Sequence, residues 1–455
     1  MKFLKVAFAG VVALAFNSAY AFHSGGVADC DGCHTMHNSF LNKAVAVHPG
    51  NEGDINNVTN IYPGSSTQFQ GKNFLLQGSD TSSTCLNCHA GSTLSSFEVC
   101  TYPFPAVGNS PVQRTPGGDF AWLTLTFSGS RGATVYGERH GHNVIAADFG
   151  LVADTTQTVA PGGTYAASNL SCASCHDPHS RARIYDANGD IYEAKLGQNV
   201  LPIYTSGSYG SVATATAATG VYRLLGAASY TQMSLTGMVP FASNPPVAVA
   251  PSTYNQTEGV NEVRVAYGAG MSEWCANCHV SIHNGNTGAP SIGGANTALI
   301  HPAGNTALLT AAANNLNGNA VGTTIATIYN DYVASGNLTG TQTTSYTSMV
   351  PFERGTTVIA TLKALSSNAN AAASGAGPST GTENVMCLSC HRAHATGFLS
   401  MTRWDNTTNF ITSNGAFTTS IGLTGAQYQA AMYDRAPTVY ATYQRSLCNK
   451  CHAKD

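Results

Sequence analysis

Charge is scarce in this chain. Lysine and arginine number 20 and aspartate and glutamate 23 among 455 residues, so only 9% of the sequence is charged. At a formal net charge of −3 there is no basic footprint for a nucleic-acid backbone. Long apolar runs are missing beyond the first residues, and no later stretch of about 18 apolar residues offers a membrane span. Apolar periodicity is poor too. GSVATATAATG (210–220) and LSSNANAAASGAGPSTGTE (365–383) have no period to bury and read as flexible loops. A chain with 47 glycines and so little patterning needs something besides side chains at its centre.

The opening MKFLKVAFAGVVALAFNSAYA sets Lys2 and Lys5 before an apolar run from Val6 to Phe16, then a small-x-small ending at Ala19 and Ala21. That pattern predicts a secretory signal peptide over residues 1–21, cut before Phe22, with residues 22–455 as one exported unit. No cysteine stands at the cut to take a lipid anchor. Losing two lysines takes the formal charge from −3 to −5 (−3 − 2), low enough to permit self-association. The expected address is the outer cell surface, with the periplasm as the alternative.

What the chain does have is cysteine in one pattern. C-x-x-C-H occurs six times: Cys30–His34, Cys85–His89, Cys172–His176, Cys275–His279, Cys387–His391 and Cys448–His452. Twelve of the thirteen cysteines are used: Cys30, Cys33, Cys85, Cys88, Cys172, Cys175, Cys275, Cys278, Cys387, Cys390, Cys448 and Cys451. At this composition one such pentapeptide is expected by chance about 0.01 times. Two thiols add to the two vinyl groups of one haem and the adjacent histidine binds its iron, so the motif predicts six covalent c-type haems. Structural zinc would need a second cysteine pair or a histidine pair within about 20 residues, whereas the closest proximal histidines are 55 apart. Disulfides would leave the six histidines without a reason.

Six large apolar macrocycles change the folding problem. The expected fold is mostly irregular coil with short α-helices and few β-strands, wrapped around a chain of six covalently attached haems, with no sheet or bundle needed underneath. Proximal spacings of 55, 87, 103, 112 and 61 residues argue against a tandem repeat. Local structure is expected as a strand or hairpin in 119–139, short helices in 323–335 and 424–436, and helical turns at the motifs.

Histidine arithmetic bears on function. Of fifteen histidines six are proximal: His34, His89, His176, His279, His391 and His452. Nine remain for the opposite faces: His23, His37, His48, His140, His142, His179, His283, His301 and His394. Methionine is the other common axial ligand, and Met36 and Met386 stand beside motifs, but spare histidines favour bis-histidine iron. Full six-coordination closes the irons to substrates and leaves electron transfer. A reductase would keep one iron open, often through CxxCK, and that motif does not occur.

His37, His179 and His394 each follow a proximal histidine by three residues. Their own proximal residue already holds the near side of the iron, so each is expected to reach a neighbouring haem. His283, four after His279, can do the same. His142, His301 and His23 are further candidates, whereas His48 and His140 read as solvated surface residues. Cys100 reads as a buried free thiol, or else as half of an intermolecular disulfide.

FHSGGVADCDGCHTMHNS, TPGGDF, APGGTY, RVAYGAGMSEWCANCH, HPAGN, CLSCHRAHA and YQRSLCNKCHAKD resemble the outer-surface hexahaem c-type cytochromes of metal-reducing bacteria. The likeness runs from Phe22 to Asp455 with the six motifs in the same order, and is weakest over Val45–Ser110 and in 365–383. It implies an electron carrier, not an enzyme, serving extracellular acceptors such as iron(III) and manganese(IV) oxides. It also implies end-to-end polymerisation into a filament, with His37 ligating the haem of Cys387–His391 in the adjacent subunit. His23, His142, His179, His283, His301 and His394 stay candidates elsewhere; seven matched histidines for six positions leave one idle, and His140 has no counterpart. Three function classes therefore stand: a polymeric conduit, a discrete carrier docking with other multihaem cytochromes or a porin–cytochrome conduit, and a reductase with one open haem.

Overall fold

The structure, a computed structural model, describes residues 30–34, 39–40, 43–44, 76–91, 97–128, 134–179, 181–193, 201–232, 238–250, 265–282, 303–305, 307–308, 324, 350–366, 383–418, 422–440, 442–446 and 448. The signal peptide, the expected helix at 323–335 apart from residue 324, and His23, His37, His48, His283, His301, His452 and Cys451 lie outside them.

Most of the described chain is coil and turn. Helices are short, and they sit largely where a motif requires one: Cys30–Cys33, Thr81–His89, Met271–Cys275 and Cys387–Cys390, with a 3-10 turn at Cys172–Ser174. Two others are Ile359–Ser366 and Gly425–Ala431. The last answers the helix expected at 424–436. Thr424 and Gln427 cap it reciprocally, the Gln427 N–H donating to Thr424 Oγ1 at 3.2 Å and the Thr424 N–H to Gln427 Oε1 at 3.0 Å. It stops where Tyr433 and Asp434 turn left-handed (φ 58° and 59°). No helix among the described residues is long and apolar enough to cross a membrane.

Strands are equally short. β1 (Ser39–Phe40) and β2 (Lys43–Ala44) form a hairpin, as do β3 (Thr126–Ser128) and β4 (Thr134–Tyr136) within the expected 119–139 segment. β5 (Ala182–Ile184), β6 (Ile191–Glu193), β7 (Ile203–Thr205) and β8 (Ala218–Gly220) make a sheet of order β6-β5-β8-β7. β9 (Ala248–Val249), β10 (Ala266–Tyr267), β11 (Glu353–Arg354) and β12 (Glu383–Asn384) make a second, ordered β12-β11-β10-β9. β13 (Phe410–Ser413), β14 (Ala416–Phe417) and β15 (Gln444–Arg445) make a third, ordered β14-β13-β15.

Two expectations need correcting. The end of the supposed loop 210–220 is β8, an inner strand with all three residues buried; Ala, Thr and Gly are small enough to pack between neighbours although they leave no periodic signal. Nor does the chain do without a protein core. Ile184, Val221, Val249 and Ala266 pack with Ile359 and Leu362 of the Ile359–Ser366 helix, so the two four-stranded sheets share an apolar seam. Trp122, Phe398, Trp404, Ile411 and Tyr428 form another cluster under the β3–β4 hairpin and the third sheet. These patches are separate, and motif turns pack in two further clusters, around Leu86 and Cys100 and around Met271 and Met386.

Candidate haem sites

At the first five C-x-x-C-H units the chain makes a helical turn, which brings two sulfurs to one side with the histidine just beyond. His176, His279 and His391 donate their backbone N–H to the carbonyl of the first cysteine, Cys172, Cys275 and Cys387, at 3.0, 3.0 and 2.9 Å. Isolated antiparallel bridges then pin three proximal backbones, His34 to Leu76, His176 to Leu225 and His391 to Thr402. A parallel bridge ties Ala90, just after His89, to Cys100. Cys100 is fully buried among Leu86, Phe120, Ala121 and Val144, and burial pushes its thiol well above the usual range. It is a packing residue, in line with the buried-thiol reading.

The imidazoles are oriented by a repeated device. Nδ1 of His89 meets the carbonyl of Phe97 at 2.8 Å, His176 that of Arg223 at 2.7 Å, His279 that of Pro161 at 2.9 Å and His391 that of Ser400 at 2.8 Å. A carbonyl can only accept, so Nδ1 carries the proton and Nε2 keeps its lone pair, as a metal-ligating histidine must. Outside the motifs His142 does the same to Ala393 at 2.7 Å. Two of the acceptors stand on unusual backbone: Arg223 and Leu224 have φ of 53° and 52°, Ser400 and Met401 of 56° and 58°. Non-glycine left-handed residues cost about 1–3 kcal/mol each and collect at functional sites. Here they turn a carbonyl onto a proximal ring. Sequence reasoning missed these positions because the backbone oxygen acts, whatever the side chain.

Three histidine pairs face one another. His34 and His179 have ring centres 6.4 Å apart with planes 7° from parallel. His176 and His394 stand at 6.4 Å and 59°, and His142 and His279 at 6.1 Å and 38°. Two imidazoles on opposite sides of one metal ion, each at a metal–nitrogen distance of about 2 Å, have centres about 6 Å apart. The donor sets therefore fit haem iron. His179 and His394 do not face the histidine three residues before them; each faces the proximal ring of a different motif. Burial lowers the pKa of His142 to about 4 and that of His394 to about 3, keeping both neutral donors. His394 stacks on Phe120 at 4.7 Å, and Gly117 is required beside it, since a Cβ there would sit 2.9 Å from His394 Nδ1. The His142 N–H donates to the His394 carbonyl at 2.9 Å, which links the second and third pairs.

His140 is a correction. It is not a solvated surface residue but fully buried, its ring tilted on Phe127 at 4.8 Å and its Nδ1 3.0 Å from the Thr396 carbonyl. Burial brings its pKa to about 4. The aromatic β3–β4 hairpin supplies the apolar wall that the sequence did not locate. Met386 packs with Tyr222, Leu225 and Met271 in the core.

The motif turns themselves pair up. The Cys85 and Cys172 sulfurs lie against each other, and the Cys172 N–H donates to Ser82 Oγ at 3.0 Å. In the same way the Cys275 and Cys387 sulfurs lie against each other, and the Cys387 N–H donates to Ser272 Oγ at 3.1 Å. In each case the serine lies three residues before the first cysteine of the partner motif. A second serine, Ser174 or Ser389, accepts the N–H of Ser171 or Met386 at 2.8 and 3.1 Å. The uneven spacings hide a duplicated arrangement of motif turns.

No family model matches the chain. It is 47% identical over 458 residues to the C-type cytochrome OmcS of Geobacter sulfurreducens, covering 96% of this chain and 95% of that protein. The chain belongs to the OmcS family of c-type cytochromes. Among solved structures it is similar to the outer membrane cytochrome S filament of that organism, with a TM-score of 0.75 at 44% identity, over 95% of this chain and 100% of the other. A cryo-electron microscopy structure of the OmcS nanowires gives a TM-score of 0.74 at the same identity and coverage. The OmcS fold thus accounts for the mostly irregular chain with small sheets, and a c-type cytochrome carries its haem covalently.

Proposed function

We propose that this chain is a secreted hexahaem electron carrier of the outer cell surface, which polymerises end to end and conducts electrons to extracellular acceptors such as metal oxides. The observation that carries this reading is the set of facing histidine rings at 6.1–6.4 Å, together with Nδ1 donation to backbone carbonyls that leaves Nε2 free for iron. The twelve motif cysteines hold six haems, and each haem supplies one reversible one-electron couple of its iron. His34 and His179 serve the first motif's iron, His176 and His394 the third, and His279 and His142 the fourth. His89, His391 and His452 are proximal at the other three sites, with distal ligands drawn from His37, His301, His23 and His283. His37 is assigned to the site of Cys387–His391 in the adjacent subunit. The protein's part is to fix ligand tautomers, exclude substrates from six-coordinate iron and hold neighbouring sites close through the paired motif turns. Other multihaem cytochromes or a porin–cytochrome conduit deliver the electrons.

Visible and electron paramagnetic resonance spectra of the oxidised, loaded protein test the ligation. Six low-spin haems are expected; a high-spin component in the untreated protein would restore the reductase. His394→Ala should convert one haem in six to high spin and leave the others unchanged. Electron microscopy tests the polymer, since discrete particles with intact low-spin spectra would leave a monomeric shuttle.

A further inference from the structure

Glu353, in β11, is a carboxyl that the electron-carrier reading leaves unused. It is fully buried. Oε2 accepts the Met271 N–H at 3.2 Å, while Oε1 is buried with no hydrogen-bond donor. Among the described residues, the polar and titratable groups facing it can be named. Tyr267 of β10 and Asn384 of β12 are its register partners, and the Asn384 side chain bonds to it. Glu273 presents a second carboxylate from the Met271–Cys275 helix, and Cys387 approaches from the fifth motif. The adjacent cation, Arg354, is committed to Glu383 in a buried ion pair. A carboxylate here has lost its water, holds one oxygen without a donor and faces another carboxylate, so its protonated form is favoured. Burial first and Glu273 second raise its pKa to about 8.

Its position is as telling as its chemistry. Met271, whose N–H it accepts, opens the helix that carries Cys275. The next residue, Ser272, receives the N–H of Cys387. Glu353 therefore sits on the seam between the fourth and fifth attachment turns, where added electron charge is felt most strongly. The half-buried Glu273 accepts the backbone N–H of exposed Asn305 at 2.8 Å, so this second carboxyl reaches toward the surface.

We propose that Glu353 is a redox-linked proton site, taking up one proton when the fourth or fifth site receives an electron and releasing it when the electron leaves. This rests on the haem assignment above. The electron comes from a reduced cytochrome or a chemical reductant such as dithionite and converts one iron(III) to iron(II). The proton comes from solvent and forms an O–H bond on the Glu353 carboxylate. Oxidation reverses both changes, so at pH above that of the carboxyl's own release, charge on the seam is conserved and each electron passing there moves with a proton.

The test is potentiometric titration of the loaded wild type and of Glu353→Gln across pH. In the wild type, above about pH 8, where the oxidised protein has released this proton, one or two components should lower their potential by about 59 mV for each tenfold fall in proton concentration, the value for one proton per electron; below that pH the carboxyl is already protonated and the slope should vanish. Glu353→Gln should lose that slope while keeping its low-spin spectrum. An unchanged slope in the variant would overturn the role of Glu353, placing any pH dependence on other groups such as the haem carboxylates. If the variant fails to load, redox-difference infrared spectroscopy of the wild type above about pH 8 decides: a deuterium-sensitive protonated carboxyl band must grow on reduction, and its absence overturns the proposal. A wild type without six low-spin haems would instead remove the ligation reading beneath it.

Discussion

The two paired motif turns are built alike and surrounded differently. In the first, between Thr81–His89 and Cys172–Ser174, a neutral network surrounds the third-motif turn. Tyr165, Ser174 and Gln232 bond to one another at 2.7–2.9 Å, and Gln232 also donates to Ser171 Oγ at 3.0 Å. In the second, between Met271–Cys275 and Cys387–Cys390, the neighbours are ionisable: Glu353, Glu273 and the buried Arg354–Glu383 pair. The shared part of the two, a serine three residues ahead of a cysteine and a serine inside the partner motif, answers a requirement of attachment. The differing part does not. Attachment fixes where an electron can rest, and the surroundings are left to decide what else moves with it.

The largest effect expected from disturbing the second seam is Arg354→Leu. It strands Glu383 without its cation in a fully buried position and should cost about 3–5 kcal/mol in denaturant unfolding. Replacing both partners by leucine should recover most of that loss. A pH dependence of stability comes next. The pKa of Glu353 is about 8 in the folded chain against about 4.3 when unfolded. Between these values the folded state holds a proton that the unfolded state does not, so the contribution is present at low pH and lost as pH rises. Stability should fall on the order of 1 kcal/mol per pH unit across that window, and Glu353→Gln should flatten the curve. The smallest effect tests the sameness of the two: Ser82→Ala and Ser272→Ala each strand one backbone N–H, of Cys172 and Cys387, and each should cost about 1–2 kcal/mol. A large difference between these two variants would break the equivalence.

Attachment chemistry was legible in the sequence because covalent and metal bonds need particular side chains at fixed spacing. The six motifs, the electron-transfer class and the outward reach of His179 and His394 all follow from that. A hairpin within 119–139 and a helix near 424 were legible, but not their bounds: 120–124 is a 3-10 turn and the helix ends at Ala431, short of the expected 436. β8 was not, since Ala218, Thr219 and Gly220 have loop composition and are strand only because β5 and β7 flank them. The Phe97, Pro161, Arg223 and Ser400 carbonyls were invisible for a different reason: any residue has that oxygen, and only its left-handed or extended setting aims it. His140 was misjudged because its burial depends on Phe127 and Thr396, the latter 256 residues away.

The crossed facing of histidines also imposes a timetable. His179 follows His34 by 145 residues (179 − 34) and His394 follows His176 by 218 (394 − 176), whereas His142 precedes His279 by 137 (279 − 142). Under the proposed pairing, a chain emerging from its N-terminus during export leaves the first and third sites half-finished until a later stretch crosses. The fourth finds its partner already outside. A chain cut short before His394 would leave its third site open, a defect that no amount of cofactor could mend.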